Sequence, residues 1–416
     1  MGTGKLRAKL PVLLLLLSLL AADGARKVWL KNTNWMNSAN WKRGSLPCSK
    51  QVVSFEEKPE PYAVFVEHDV SVGELVLPMN GEIVFADDLK VNFGSFFHEP
   101  TCMAGENRFV GGEPEDWLNP HNWRVEDDLS VVPPMSSDGA AVPTSAADGS
   151  DGFPLLQAEV VPCTHDTVVF PENATYLVSL DHSKEVKQVD FTGTVYKKSN
   201  EFGKFLESEN GKMQFKLGPS GGIVVQGQDC NDNSGCYCGN EEHMDKICDL
   251  YGDNCLSVTC SNPVTPSGSC CPMCGAVLLL SYDKMSFDIM AFQDRLVDDY
   301  MLNEHGYKGR VKGRVSKLKD GHVQLVLVDN VPGAQNGMAA GEVGKHIASL
   351  IEEDNMSPFP TFGVTSISID KSGVGNKAQV AGGSGMNTVI YIAAGAGGGA
   401  VFFIAILVSL GIIIKK

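Results

Sequence analysis

The string WMNSANW at residues 35–41 returns in altered form as WLNPHNW at 117–123. In both copies tryptophan stands first and last, and asparagine occupies the third and sixth places. Four of the five tryptophans in the chain, Trp35, Trp41, Trp117 and Trp123, belong to these two strings. The duplication extends further. PCSKQVVSF follows the first copy at 47–55, and PCTHDTVVF follows the second at 162–170. A chain built this way must fold as two related modules. Between Trp123 and the second Pro-Cys lies a stretch dominated by Pro, Ser, Ala, Gly and Asp. It lacks apolar periodicity, so residues 127–158 are expected to form a disordered surface insertion.

Each Pro-Cys leads into short runs rich in Val, Ile and Phe: YAVFVEHDVSVGELVLPMNGEIVF at 62–85 and ATYLVSLDHSKEVKQVDFTGTVY at 174–196. Brief strands separated by tight turns, with no helical pattern between them, argue for an all-β unit. Stacked coils of a parallel β-helix suit this spacing, and a two-fold β-sandwich is the alternative. The tryptophans then pack the interior, each removing about 150–250 Å² from water. A sugar-stacking role is the competing assignment.

The ends carry different signals. Lys5, Arg7 and Lys9 precede LPVLLLLLSLLAA, the pattern of a secretory signal peptide over 1–24. No charged residue occurs from Thr388 to Ile414. As a helix that run would reach about 40 Å at ~1.5 Å per residue, enough to cross a ~30 Å hydrocarbon core. Lys415 and Lys416 follow and mark the cytoplasmic side, so a single-pass type I topology is expected, with an extracellular N-terminus. Gly395 and Gly399 have the spacing that lets membrane helices pack closely.

Behind a signal peptide, cysteines are read as disulfides. Nine of the twelve lie between 230 and 274: Cys230, Cys236, Cys238, Cys248, Cys255, Cys260, Cys270, Cys271 and Cys274. Zinc ligation is the alternative for such clustering in a reducing compartment. Apolar residues are sparse there, so bridges worth about 2–4 kcal/mol each must hold the module. With Cys48, Cys102 and Cys163, full pairing requires an odd number of bridges between the repeats and this module. The pairing itself stays open at this stage.

Beyond Gly275 the pattern turns mixed. AVLLLSYD reads as a strand, and a helix capped by Ser286 follows. Two strands meet around Asp320-Gly321, and a second helix buries Val343, Ile347, Leu350 and Ile351. FGVTSISID closes the domain. The order βαββαβ is that of a ferredoxin-like sheet over 276–370. A Gly-rich stalk at 371–387 leads to the membrane run at 388–414 and the cytoplasmic end at 415–416. The repeat region is assigned to 25–226 and the cysteine-rich module to 227–275. The chain is therefore expected to be multidomain: a β-helix-like repeat, a disulfide-rich module, an α/β membrane-proximal domain and one transmembrane helix.

No catalytic, cofactor or metal constellation stands out. His165-Asp166 suggests acid–base chemistry, yet the other repeat copy lacks the pair. With 50 Asp and Glu against 34 Lys and Arg, the net charge of −16 argues against nucleic acid as a partner. Asn173-Ala-Thr and Asn355-Met-Ser are glycosylation sequons, the second followed by Pro358.

In this order the NW…PC…VxF repeat, the GCYCGN…CCPMCGAVLLL junction and QLVLVDN resemble the amnionless family. The cysteine module, through CCPMCG, is similar to a von Willebrand factor type C domain. The resemblance implies a non-enzymatic type I membrane protein of the apical plasma membrane and endosomes of absorptive epithelium. It implies a partner, the large receptor cubilin, which the chain anchors and exports for uptake of intrinsic factor–cobalamin and of filtered proteins such as albumin. The repeat region is expected to hold that receptor, through the unpaired edge of its stacked strands. A growth-factor (BMP-type) modulator acting through the cysteine module is the alternative, and adhesion or sugar binding is a third. Family members carry Phe-x-Asn-Pro-x-Phe-type endocytic signals in a cytoplasmic tail, whereas this sequence ends at Lys416. It is therefore expected to be truncated or to depend on another subunit for cytosolic adaptors.

Overall fold

The computed structural model describes residues 24–94, 101–126, 156–295, 307, 310–329, 337–358, 360–373 and 389–391. The signal peptide, nearly all of the insertion and nearly all of the membrane run lie outside the described residues. Two compact units are present. The first draws on Met1–Val258, Thr265–Met273 and Ser316–Asp320; the second on Thr259–Val264, Cys274–Val315 and Gly321–Lys416.

In the first unit the valine-rich runs become short strands: β1 Arg26–Trp29, β2 Gln51–Phe55, β3 Ala63–Val66, β4 Val70–Val72, β5 Glu74–Val76, β6 Glu82–Phe85, β7 Val91–Phe93 and β8 Gly105–Phe109. Burial alternates along β2, with Gln51, Val53 and Phe55 inward, as a period of two demands. The pairing is parallel: Ala63 opposes Glu82, Val70 opposes Val91, and Val52 opposes Glu74. Each of these strands therefore pairs with the one three further along the chain, with tight corners between them. Gly81 allows one such corner. Its φ is +101°, and a Cβ there would stand 2.6 Å from the Tyr62 carbonyl oxygen.

The second half repeats the plan with β9 Glu115–Asp116, β10 Trp123–Glu126, α1 Gln157–Val160, β11 Thr167–Phe170, β12 Val178–Val186, β13 Gln188–Phe191 and β14 Thr194–Tyr196. Then come α2 Ser199–Glu207, α3 Glu209–Gln214 and β15 Phe215–Val225. Parallel pairs recur, β11 with β13 and β12 with β15. Two expectations are corrected. The unit is not all-β, because α2 and α3 interrupt it: Phe202 and Leu206, one turn apart, join Phe170, Phe191 and Phe215 in the core. The insertion also ends earlier than residue 158, since Leu156 and Ala158 are buried and α1 is already under way.

The two halves exchange their leading strands. β1 precedes the first heptapeptide but pairs with β10 and β11 of the second half. β8 precedes the second heptapeptide but pairs with β2 of the first. The bonds are reciprocal: Leu30 N–H donates to the Asn122 carbonyl at 2.9 Å, and Val110 N–H to the Asn40 carbonyl at 2.8 Å. Neither half completes its sheet alone.

The cysteine-rich stretch does not stand apart from this unit. Its helix α4, Met244–Tyr251, buries Ile247 in the core of the second half.

The second unit is an antiparallel sheet with a helix. β16 Gly275–Tyr282, α5 Ile289–Phe292, β17 Val311–Lys317, β18 Val323–Asp329, α6 Met338–Met356, β19 Val364–Lys371 and β20 Val389–Tyr391 follow in order. The strand order is β17-β18-β16-β19-β20. Ala276, Leu278 and Leu280 face Val343, Ile347 and Ile351 of α6 across a core that also takes in Leu325, Leu327, Ile367 and Ile369. Asp329 accepts from Ala340 N–H at 2.8 Å, satisfying the first turn of α6. Three boundaries differ from expectation. Asp288, not Ser286, caps α5, accepting from Ala291 N–H at 2.8 Å, because Ser286 Oγ is engaged with Asp283. Lys371 belongs to β19 and Gly373 bridges Ser261, so the domain runs past 370. Val389–Tyr391 are extended and pair with β19; residues 392–416 lie outside the described residues.

Candidate functional site

The repeated heptapeptides are local hydrogen-bond frames. Trp41 Nε1 donates to the Trp35 carbonyl at 2.7 Å, and Trp123 Nε1 donates to the Trp117 carbonyl at 2.7 Å. Each indole pair meets edge-on with centroids 4.8 Å apart. The third-place asparagine opens a short 3₁₀ turn: Asn37 Oδ1 accepts from Ala39 N–H, and Asn119 Oδ1 from His121 N–H, both at 3.1 Å. The sixth-place asparagine is buried. Asn40 Nδ2 donates to the Asn32 and Asn34 carbonyls at 3.0 and 2.9 Å, and Asn122 Nδ2 donates to the Asp116 carbonyl at 2.9 Å. The residues identical in the two strings are therefore the ones with a bond or a core place to fill. Exposure of the four tryptophans does not exceed 3 %, which removes the sugar-stacking assignment.

Where the strings differ, one position has acquired a contact. His121 replaces Ala39 of the first copy, and its ring stacks on Tyr251 of α4 at 5.0 Å. The second heptapeptide thereby seats the cysteine-rich helix.

All twelve cysteines are bridged: Cys48–Cys102, Cys163–Cys238, Cys230–Cys236, Cys248–Cys270, Cys255–Cys271 and Cys260–Cys274. One bridge, Cys163–Cys238, ties the repeats to the cysteine-rich stretch. His165 and Asp166 do not form a catalytic pair. His165 lies at the surface near the Gln228 carbonyl, while Asp166 is buried, accepts from Cys163 N–H at 2.8 Å and lies 3.7 Å from Lys27 Nζ. Burial pushes the Asp166 carboxyl above its usual range, against the pull of Lys27. Gln51 holds the matching place in the first half and bonds Cys48 N–H with its own side chain. Both residues are turn locks.

Asn173 is exposed, in left-handed backbone with φ 56°, while its sequon partner Thr175 is buried against Thr33 and the Ala63 carbonyl. Asn355 sits in the last turn of α6 with its Nδ2 buried and without a partner.

The edge strands β5, β6 and β7 of the first half are where apolar surface meets unpaired backbone. β5 pairs only with β2, β6 only with β3 and β7 only with β4; among the described residues no strand covers their outer edges. Along these strands and the turn between them Val76, Leu77, Met79, Phe85 and Phe93 are exposed, Leu77 at 61 % and Met79 at 90 %. Sequence reasoning anticipated an open edge but not these side chains. The available signal was the apolar residues abutting the turn in LVLPMNG, where a solvated corner calls for polar ones.

Comparison with known proteins bears on this arrangement. The sequence profile of the Amnionless family matches residues 26–416. Protein amnionless of Homo sapiens is 30% identical over 375 residues, covering 86% of this chain and 76% of that protein. Protein amnionless of Canis lupus familiaris is 28% identical over 361 residues, covering 85% and 72%. Protein amnionless of Drosophila melanogaster is 25% identical over 251 residues, covering 57% of this chain. With the match running from the first strand to the end of the sequence, this chain belongs to the Amnionless family.

Proposed function

We propose that this chain is a non-enzymatic membrane anchor and export partner for a large extracellular receptor chain, cubilin in the family reading. It would act at the apical membrane and in endosomes of absorptive epithelium, supporting uptake of intrinsic factor–cobalamin and proteins such as albumin. Family membership supports the identity of the partner. The observation that carries the docking site is the open edge of β5, β6 and β7, which combines unpaired main-chain groups with Leu77, Met79 and Phe93. A receptor strand added there satisfies backbone donors and acceptors while its side chains cover the apolar ones. The parallel returns of the chain support a β-helix-like reading of the repeats. The order β17-β18-β16-β19 supports a ferredoxin-like reading of the second unit. The bridged stretch 230–274 is read as the von Willebrand factor type C-like module.

The test compares the full chain with its Leu77→Asp/Met79→Asp variant for binding to the receptor's N-terminal region. Both side chains are exposed, so thermal stability is expected to hold while affinity drops by about tenfold or more, as loss of an interface anchor implies. Unchanged affinity in a folded variant would remove this edge as the docking surface.

A further inference from the structure

A second cluster lies away from the open edge, where α4 and the turn before it meet β12. His182 of β12 and His243 of the 241–243 turn face each other with ring centroids 5.4 Å apart. Beside them Lys184 of β12 is 6 % exposed, and its Nζ is buried with no hydrogen-bond acceptor. Lys246 of α4 bridges Asp116 of β9 and Asp181 of β12, both at 2.7 Å. Glu242 pairs with Lys319. The adjoining stretch of β15, 217–225, brings no titratable group. Lys184, Lys246 and Lys319 thus lie among Asp116, Asp181 and Glu242, with Glu241 on the same turn and Asp245 on the same helix. A proton added to His243 places a further positive charge beside an ammonium that already lacks a hydrogen-bond acceptor.

We infer that the His182–His243 contact is an acid-sensitive latch, holding the α4 segment on β12 at neutral pH and loosening it on acidification. The physical directions agree. Burial, then the charges of Lys184 and His182, holds His243 below its ordinary 6.5, with Lys246 acting the same way and Glu242 opposing. Burial likewise pushes Lys184 down to about 8, helped by Lys246 and opposed by Asp116 and Glu242. A histidine whose folded value is depressed takes up its proton more readily when released. Docking strength is therefore present at neutral pH and is lost as pH falls through and below 6.5. Lysine protonation is complete above that window and adds a constant cost within it. The segment remains tethered when it loosens, through Cys248–Cys270.

Amide hydrogen exchange on the full chain, corrected for intrinsic rates, tests this at about pH 7.4 and about pH 5.5, values that straddle histidine titration. Protection of the α4 amides, 244–251, is expected to fall by about tenfold at the lower pH, while β11 and β13 keep theirs. In a His182→Gln/His243→Gln variant the pH dependence should disappear. Constant protection in the wild-type chain overturns the latch. So does a uniform loss across the first unit, which needs no variant to be seen, or a drop that survives in the double variant.

Discussion

Trp117 and Trp123 are buried side by side, yet their indole N–H groups differ. Trp123 Nε1 has the Trp117 carbonyl, whereas Trp117 Nε1 is buried without an acceptor. Trp123→Phe strips a bond and orphans a buried carbonyl, a loss of about 2–3 kcal/mol on top of the volume removed. Trp117→Phe removes an already unsatisfied donor and should cost less by about 1–3 kcal/mol. Urea midpoints at constant slope decide the matter, and equal losses from the two variants would contradict the bond assignment. Glycosylation separates two other residues in the same way. Asn173 projects to solvent in a conformation that asparagine tolerates, but the hydroxyl of Thr175 becomes inaccessible on folding. Attachment at Asn173 must therefore precede closure of this turn. Asn355, with its amide nitrogen enclosed, should stay unmodified. Glycopeptide mass spectrometry should find a glycan at Asn173 alone, and occupancy at Asn355 would mean that the last turn of α6 is open when the sequon is scanned. The duplicated letters Trp, Asn, Asn and Trp were readable because each fills a role. The burial of Asn40 and Asn122 was not, since an asparagine in a turn-rich string reads equally well as solvated.

At the scale of elements, strands were found where valines alternate, and α6 where Val343, Ile347 and Ile351 recur at helical spacing. What stayed hidden was long-range. The exchange of β1 and β8 has no local signature, because the partners of each strand lie far away in the sequence. Helices α2 and α3 were missed because a run as polar as SNEFGKFLE shows its apolar stripe only through Phe202, Phe205 and Leu206. The bridges depend on the same long-range geometry. Cys255–Cys271 closes a separation of 16 residues in a stretch, Gly252 to Thr259, that is exposed throughout. Cys271→Ser should cost about 3 kcal/mol there and leave Cys255 free, so delivery to the cell surface should fall sharply. Surface biotinylation at the wild-type level would show that the segment folds without its bridge. A fragment cut at residue 226 would lose more, since it severs Cys163 from Cys238 and removes Ile247 from the core.

For the whole molecule, the two units reach stability by different means. The first carries Cys48–Cys102, Cys163–Cys238, Cys230–Cys236, Cys248–Cys270 and Cys255–Cys271. The second holds only Cys260–Cys274, near its first strand. Its stability rests instead on one apolar layer in which Leu278, Leu280, Leu325, Leu327, Ile347 and Ile351 are essentially inaccessible to water. Full burial of such side chains is worth about 1.5–3 kcal/mol each and is indifferent to redox conditions. Reduction should therefore separate the units. Under dithiothreitol without denaturant, the first unit loses about 2–4 kcal/mol per bridge, enough to exceed the net stability of an ordinary domain. The second unit keeps its core. Trypsin added at that point should degrade the first unit and leave a resistant fragment containing β16 to β19, identifiable by mass spectrometry. The prediction fails if the fragment that survives reduction comes from the repeats, because their exchanged strands and aromatic core would then suffice without disulfides.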